Sequence, residues 1–408
     1  MSNTTLTASI IAAEAVSILD NELVMAKQVF RGYEDDFDKK VNGYNVGETI
    51  TIRKPTDFTV RDGATAAAQD VTEGSLTMTL NKRKGVDFSF TSQDLTTKIG
   101  ELSDRVIRPA MVQLANQIDT DLWALYKDIP NWVGTPGNTI DAFIDFAKGP
   151  ERLDNGAVPS DGRSAVLSPT DTWAMLGSQT ALYVQGANRD AYRNGELGMI
   201  GNVDTYMSQN APTHTTGSDM SGTVGASVTT STISYSDVKN SNQQTITTSS
   251  VNMNPGDVFT IGTAGGNGVY DVNPVTKAQL PYLKQFTVVS YSSNTLVFSP
   301  AIVWTGAFQS AAVVGVTDLN TLAITGVGTA STGYRQNLIF RKNAFALVTK
   351  PLVAPPGAVD VGRQSYKGLN VRVIPVYDGI NDKSLWRLDV LYGVKTIDPR
   401  QAVRISGT

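Results

Sequence analysis

The 408-residue chain has no cysteine. That excludes a disulfide framework, a Cys-ligated zinc site and a thiol nucleophile. It has one histidine, His214. A Ser-His-Asp triad, a multi-histidine metal site or a histidine relay would have to rest on that residue alone. His214 sits in the polar stretch Thr213-His214-Thr215-Thr216 and reads as a surface residue. Charged residues make up only 18% of the chain, below the usual quarter or so. The formal net charge of −4 argues against a dedicated nucleic-acid binder, which is normally basic. No window approaches the roughly 18 uninterrupted apolar residues of a membrane span. The first apolar stretch is broken by Glu14, Asp20 and Glu22 and follows no positive n-region, so it is not a signal peptide. The chain reads as soluble and intracellular at synthesis, and long enough for two or three domains.

Chemical motifs are equally scarce. No GxGxxG, GxxxxGK[ST] or GxSxG occurs, and Gly265-Gly266-Asn267-Gly268 lies between strands with no helix after it. An EF-hand counted from Asp36 would need Gly at its sixth position and Glu at its twelfth; the chain has Val41 and Gly47 there. The acidic cluster Glu34, Asp35, Asp36 and Asp38 therefore reads as a solvated turn. Asp141 and Asp145, four apart, read as a surface pair. Aromatic and basic residues do not interleave as on a single-strand nucleic-acid platform. Asn3-Thr4-Thr5 matches a glycosylation sequon without a secretion signal to make it relevant. The chain reads as a structural or binding protein with much β structure. It is not read as an enzyme, and it names no catalytic, cofactor-binding or metal-binding residue.

What is present is periodicity. Residues 8–28 predict a helix, with Ile11, Ala15, Ile18, Leu19, Leu23 and Ala26 at helical spacing and Thr7 or Ser9 as N-cap. Residues 47–90 alternate as strands: Thr49-Ile50-Thr51-Ile52, Leu76 to Leu80, then Val86, Phe88 and Phe90. Between the first two runs lies a polar tip, roughly Arg61 to Gly74. An isolated hairpin is marginal in water, so this excursion must lie on another surface. Residues 103–129 predict a helix roughly 40 Å long, at ~1.5 Å per residue. Ile107, Met111, Leu114, Ile118, Leu122 and Leu125 form its stripe, Ser103 is its N-cap, Asp104 suits its positive end, and Pro109 kinks or delays it. Thr139 to Ala147 reads as helical, and Ser164 to Leu167 as a buried strand. Ser168-Pro169 starts a further helix.

The composition then changes. From Ala211 to Thr332 the charged residues are Asp219, Asp237, Lys239, Asp257, Asp271, Lys277, Lys284 and Asp318 alone. Strand runs at 258–261, 286–289 and 295–298, separated by turns such as Asn254-Pro255-Gly256-Asp257, predict a small sandwich or barrel. Mixed composition returns at Gly333, with strands at 338–340, 345–348, 371–376 and 385–392 and a turn at Asp378-Gly379. The low-charge segment thus interrupts one mixed domain, as an insertion at an exposed loop would.

The order of helical arm, charged hairpin, spine helix, central α/β part and paired C-terminal strands resembles the tailed-phage major capsid proteins of the HK97-like fold. Gly201-Asn202-Val203-Asp204 through Asn210-Ala211-Pro212 resembles the end of their central domain before an insertion. Asn254 to Ile261, with Val272 to Lys277 and Gln285 to Val288, resembles the inserted β-barrel of P22-type coat proteins. Leu391-Tyr392-Gly393-Val394 with Asp398-Pro399 resembles their C-terminal strand and turn. The resemblance implies an α+β fold with an inserted all-β, Greek-key-like barrel. The parts are an N-terminal arm at 1–46, an extended hairpin loop at 47–90, and the spine helix and peripheral domain at 91–137. The first part of the central (axial) domain follows at 138–212, the barrel at 213–332, and the central return with C-terminal peripheral strands at 333–408.

It further implies a virion coat subunit, made in the host cytoplasm, that associates with itself as hexamers and pentamers of an icosahedral shell. A scaffolding protein and a portal protein are the implied partners, with double-stranded DNA packaged inside by non-specific proximity and maturation without chemistry by the coat. A decoration protein is left open; no cofactor and no membrane are implied. Intersubunit ion pairs are expected from Arg53, Lys54, Arg61 and Asp62, with Lys82, Arg83 and Lys84 beside them. A contact between capsomers is expected near Asp237 and Lys239. Two other readings stand: a glycan-binding virion adhesin or tail-associated β protein, with tyrosines and Trp304 stacking on sugars, and, more distantly, a hydrolase using aspartate pairs.

Overall fold

A computed structural model describes residues 8–38, 40–41, 44–45, 47–66, 68–69, 71–91, 103–180, 197–225, 234–356 and 361–408. Thr7 and the side chains of Ser103 and Asp104 lie outside what is described. The chain is mixed α+β and divides into two compact units.

The first unit comprises Met1–Thr51, Thr77–Trp123 and Phe345–Lys395. Its centre is a five-stranded sheet, in which the strand Lys383–Thr396 pairs with Leu369–Asp378 and with Lys82–Thr91. The middle strands are buried in continuous runs, among them Leu369, Val371, Val373, Leu388, Val390 and Tyr392. The helices Ala8–Glu22 and Arg108–Trp123 pack on each other, and the first also packs on the strands Gly362–Tyr366 and Leu369–Asp378. The strand Lys82–Thr91, which alternation placed in the hairpin, belongs to this sheet; the hairpin itself pairs only Thr49–Arg53 with Ser75–Thr79.

Two helices depart from their periodicity for identifiable reasons. The expected 8–28 helix stops at Glu22 and resumes as Met25–Gln28. At the break, Asp119 accepts hydrogen bonds from the backbone N–H groups of Val24 (2.8 Å) and Ala26 (3.0 Å), donors that a continuous helix would bond internally. The expected 103–129 helix is three segments: a π-helical turn Ser103–Ile107, the α-helix Arg108–Trp123 and a 3-10 turn Ala124–Asp128. Pro109 stands at its second α-helical residue, where a missing N–H is harmless. The α-helical part is about 24 Å long, shorter than expected. Ile107, Met111, Leu114, Ile118 and Leu122 are buried; the tighter final turn buries Tyr126 and leaves Leu125 half-buried.

The second unit comprises Ile52–Leu76, Ala124–Ala344 and Thr396–Thr408. A six-stranded mixed sheet runs in the order Trp132–Val133, Ala402–Ile405, Asn337–Arg341, Arg163–Leu167, Val203–Met207, Met199–Ile200. The helices Phe143–Asn155 and Pro169–Thr180 accompany it; the former starts four residues later than expected. Ser168 caps the latter as expected, its hydroxyl accepting from the Asp171 N–H at 3.3 Å. Asp141 therefore precedes the helix that carries Asp145, and Asp145 is buried against Thr408, so the two form no surface pair.

Between Val203–Met207 and Asn337–Arg341 the chain forms a closed antiparallel barrel of six strands. Around it run Ser221–Val224, Gln244–Ser249, Thr295–Ser299, Gln285–Ser292, Val258–Ile261 and Ala323–Gly326. Closure removes free edges. Phe259, Phe286 and Phe298 fill the core, with ring centroids 5.0–5.6 Å apart. In the barrel strand Gln244–Ser249 every second residue is buried and the rest are exposed. Trp304 is buried against this core, so it offers no face for a sugar.

Candidate functional site

The root of the hairpin is the place where segments singled out in the sequence meet. The ladder ends at Lys54, whose N–H donates to the Gly74 carbonyl at 2.8 Å. Beyond it the chain forms an open tip. Gln69 holds this tip by bonding both backbone groups of Thr59: its amide oxygen accepts from the Thr59 N–H (2.9 Å) and its amide N–H donates to the Thr59 carbonyl (2.6 Å). Phe58, Val60 and Val71 are exposed there, Val60 completely.

Arg53 pairs with Glu73 across the hairpin at 3.4 Å, with both side chains in solvent. Arg61 donates to the carbonyls of Gly63 and Thr65 inside the tip, and Asp62 is exposed beside it. Lys54 reaches further: its ammonium donates to the carbonyls of Lys239 (3.1 Å) and Asn240 (3.4 Å). Hairpin and barrel loop, treated as separate candidates in the sequence, are thus joined within one chain. Asp237 has a local task. It closes a capping box with Ser234, accepting from the Ser234 N–H (3.0 Å) and hydroxyl (2.8 Å), and these bonds hold its carboxyl below the usual range.

The basic run 82–84 lies in the first unit, on the sheet. Lys82 pairs with Asp121 at 3.3 Å and Lys84 is half-buried opposite Val390. Arg83 pairs with the buried Asp389 at 2.7 Å, which also meets Arg372 (2.5 Å) and Arg387 (3.0 Å). Burial alone would raise the Asp389 carboxyl; the hydrogen bonds from Arg372, Arg83 and Arg387 outweigh it and hold the group below its ordinary value. Opposite it stands Gly85, where a Cβ would lie 2.6 Å from an Asp389 carboxylate oxygen.

His214 is not at the surface. It is buried on the short strand Thr213–Thr215, its ring between the Tyr126 hydroxyl (2.9 Å from Nδ1) and the Asp257 carboxylate (2.8 Å from Nε2). Asp257 also accepts from the N–H groups of Gly217 (2.9 Å) and Asn254 (2.6 Å), which ties the Asn254-Pro255-Gly256-Asp257 turn. Nearby, the buried Arg404 donates to the Gly256 carbonyl at 2.8 Å and lies over the rings of Tyr126 and Trp132. Both ring nitrogens of His214 are thus engaged inside a buried polar cluster.

One small, polar cavity is lined by Asp171, Arg335, Asn337 and Ser406 among others. Both Asp171 oxygens are engaged, accepting from the Ile140 N–H (3.1 Å), the Ser168 hydroxyl (2.5 Å) and the Asn337 amide (2.8 Å). Among the described residues no three His, Asp or Glu side chains gather as metal ligands, and no helix is long and apolar enough to cross a membrane.

Comparison with known proteins gives one family match: the family described as P22 coat protein, gene protein 5, over residues 1–407. No curated protein matches. Among solved structures, one from Mycobacterium phage Che8 aligns with a TM-score of 0.51 and 14% identity over 95% of this chain and 92% of that one. The asymmetric unit of the bacteriophage PhiM1 mature capsid aligns at 0.41 and 11% identity, over 89% of this chain and 82% of that one. The capsid of Ralstonia phage GP4 aligns at 0.42 and 9% identity, over 89% and 84%.

Proposed function

The chain belongs to the P22 coat protein family, and on that footing we propose that it builds its shell as hexamers and pentamers, each subunit laying its hairpin across a neighbour. This is a phage major capsid protein with an HK97-like fold, a structural component of an icosahedral virion that assembles with copies of itself. A scaffolding protein directs assembly in the host cytoplasm, a portal protein occupies one opening, and double-stranded DNA is packaged inside. Maturation proceeds by conformational change, without chemistry by the coat. The barrel is a domain inserted between the strands Val203–Met207 and Asn337–Arg341.

The exposed apolar tip carries the reading of the hairpin. Phe58, Val60 and Val71 stand in solvent on an excursion whose own ladder has ended, so the fold supplies contact area there that a neighbour can bury. The arrangement suits a shell, in which many modest contacts are repeated. Arg61 and Asp62 at the tip, and Arg53 at the hairpin's root, add ion pairs worth about 0–1 kcal/mol each where exposed, whereas Lys82 and Arg83 are held within the chain by Asp121 and Asp389. Lys239 presents a capsomer contact beside Asp237.

Electron microscopy of the chain co-expressed with its scaffold tests this reading. Closed shells are expected; uniform small monomers would overturn it. Arg61→Glu is expected to lower particle yield, and an unchanged yield would remove Arg61 from the contact.

A further inference from the structure

We propose that the loop 239–240 aims the hairpin, holding its root in the direction it needs before a neighbouring subunit is met. The proposal rests on the reading of the hairpin as an intersubunit arm and adds what sets its direction.

Both strands of the hairpin end on the same two residues. From one side, the Lys54 ammonium donates to the carbonyls of Lys239 and Asn240. From the other, Ser75 donates its N–H (2.9 Å) and its hydroxyl (3.1 Å) to the Asn240 side-chain oxygen. Between them Gly74 lets the backbones close: a Cβ there would lie 2.5 Å from the Lys239 carbonyl oxygen and 3.1 Å from the Tyr235 hydroxyl.

The platform is itself fixed. Ser234 and Asp237 cap the turn Tyr235–Val238. Val238 is buried with Ala301 and Val303, and the Tyr235 ring stacks on Phe308 at 3.5 Å. Further along the tip, Asp57 lies within electrostatic reach of Tyr235, Lys277 and Arg400.

The hairpin needs such a support. Its two strands are five residues each, too short to hold a direction unaided. Lys54–Gly74 is its last backbone rung, so whatever grips that rung sets the angle of everything beyond. A gripped root lets the arm reach a neighbour without first losing conformational freedom, the general advantage of preorganisation.

Hydrogen exchange on the monomer and microscopy on the assembled product together test this. The variants are Lys54→Met with Asn240→Ala, and separately Gly74→Ala, which keeps every polar group but pushes the backbones apart. In both, exchange across 54–76 is expected to rise about tenfold, while the barrel strands Val258–Ile261 and Gln285–Ser292 keep their protection. With scaffold, closed shells should give way to open or irregular particles. Unchanged exchange at 54–76 would overturn the grip. Raised exchange with normal shells would overturn its role in aiming. A wild-type chain that forms no shells would instead overturn the arm reading, and exchange alone would still decide the grip.

Discussion

His214 Nε2 lies 2.8 Å from Asp257 Oδ1, so the chain's one histidine is a buried partner of a buried carboxylate. A carboxylate can only accept, so Nε2 donates to it, and in the neutral ring Nδ1 then accepts from the Tyr126 hydroxyl. His214→Ala would leave a carboxylate oxygen and a phenol unpaired. It is expected to lower stability by about 2–5 kcal/mol, and Tyr126→Phe by about 1–2 kcal/mol. Denaturant midpoints measure both; a loss for His214→Ala below about 0.5 kcal/mol would mark the residue as a surface one.

The same residue shows what the sequence could and could not tell. Thr213-His214-Thr215 looked polar, hence exposed. On a strand, however, alternate residues face opposite sides, and here the middle one faces inward between two exposed threonines. Elements governed by periodicity were legible: the barrel strands, the stripe of the helix Arg108–Trp123, and the start at Ser168-Pro169. Features set by a partner far along the chain were not. Asp119 breaks a helix some 95 residues away, Lys54 meets a carbonyl 185 residues away, and the strand Lys82–Thr91 leaves the hairpin for a strand near the C-terminus. Local pattern carries no information on such pairings. The low charge of the barrel segment was legible, but the use of those few charges was not: Asp257 is buried with His214, Asp237 caps a turn, and Asp271 pairs with Lys284 at 3.0 Å.

Asp389 is the acid-sensitive joint of the first unit. Its folded carboxyl is held below the ordinary value of 3.8, so its contribution is complete above that pH and is lost as pH falls further, through the folded value. Asp389→Asn leaves Arg83, Arg372 and Arg387 without their shared anion. The expected cost at pH 7 is about 3 kcal/mol, because Arg372 is buried while the other two keep partial solvent. As pH falls below 3.8 and through the folded value, the variant and the parent should converge in chemical denaturation; a constant gap would show that packing, not charge, was lost.

Arg404 is fully buried with no carboxylate in hydrogen-bond contact, and one of its nitrogens, Nε, has no partner. Burial pulls it down to about 10, with Tyr126, Asp257 and Asp128 acting the other way, so it is charged at neutral pH. Arg404→Met fills much of the space but leaves the buried Gly256 carbonyl without its donor, and is expected to cost about 1–3 kcal/mol, whereas Arg404→Ala, which also leaves a cavity between Tyr126 and Trp132, should lose about 3–5 kcal/mol. Equal, large losses in thermal unfolding would show that the guanidinium bond to the Gly256 carbonyl dominates.

Asp119 acts on acid stability with the opposite sign to Asp389. Burial raises its carboxyl above the ordinary 3.8 and outweighs the backbone donors of Val24, Ala26 and Met25 and the nearby Lys27 charge. The folded chain therefore takes up this proton more readily than the unfolded chain, and Asp119 adds relative stability as pH falls from its raised value toward 3.8. Asp119→Ala removes that gain together with the cap at the helix break. At pH 7 the cap's loss should cost about 1–2 kcal/mol and speed exchange at the Val24 and Ala26 amides. Between pH 7 and 4 the variant should lose stability more steeply than the parent, while Asp389→Asn loses it no faster. Parallel slopes for Asp119→Ala and the parent, measured by urea midpoints across that range, would show that Asp119 ionises in the fold as it does in the unfolded chain.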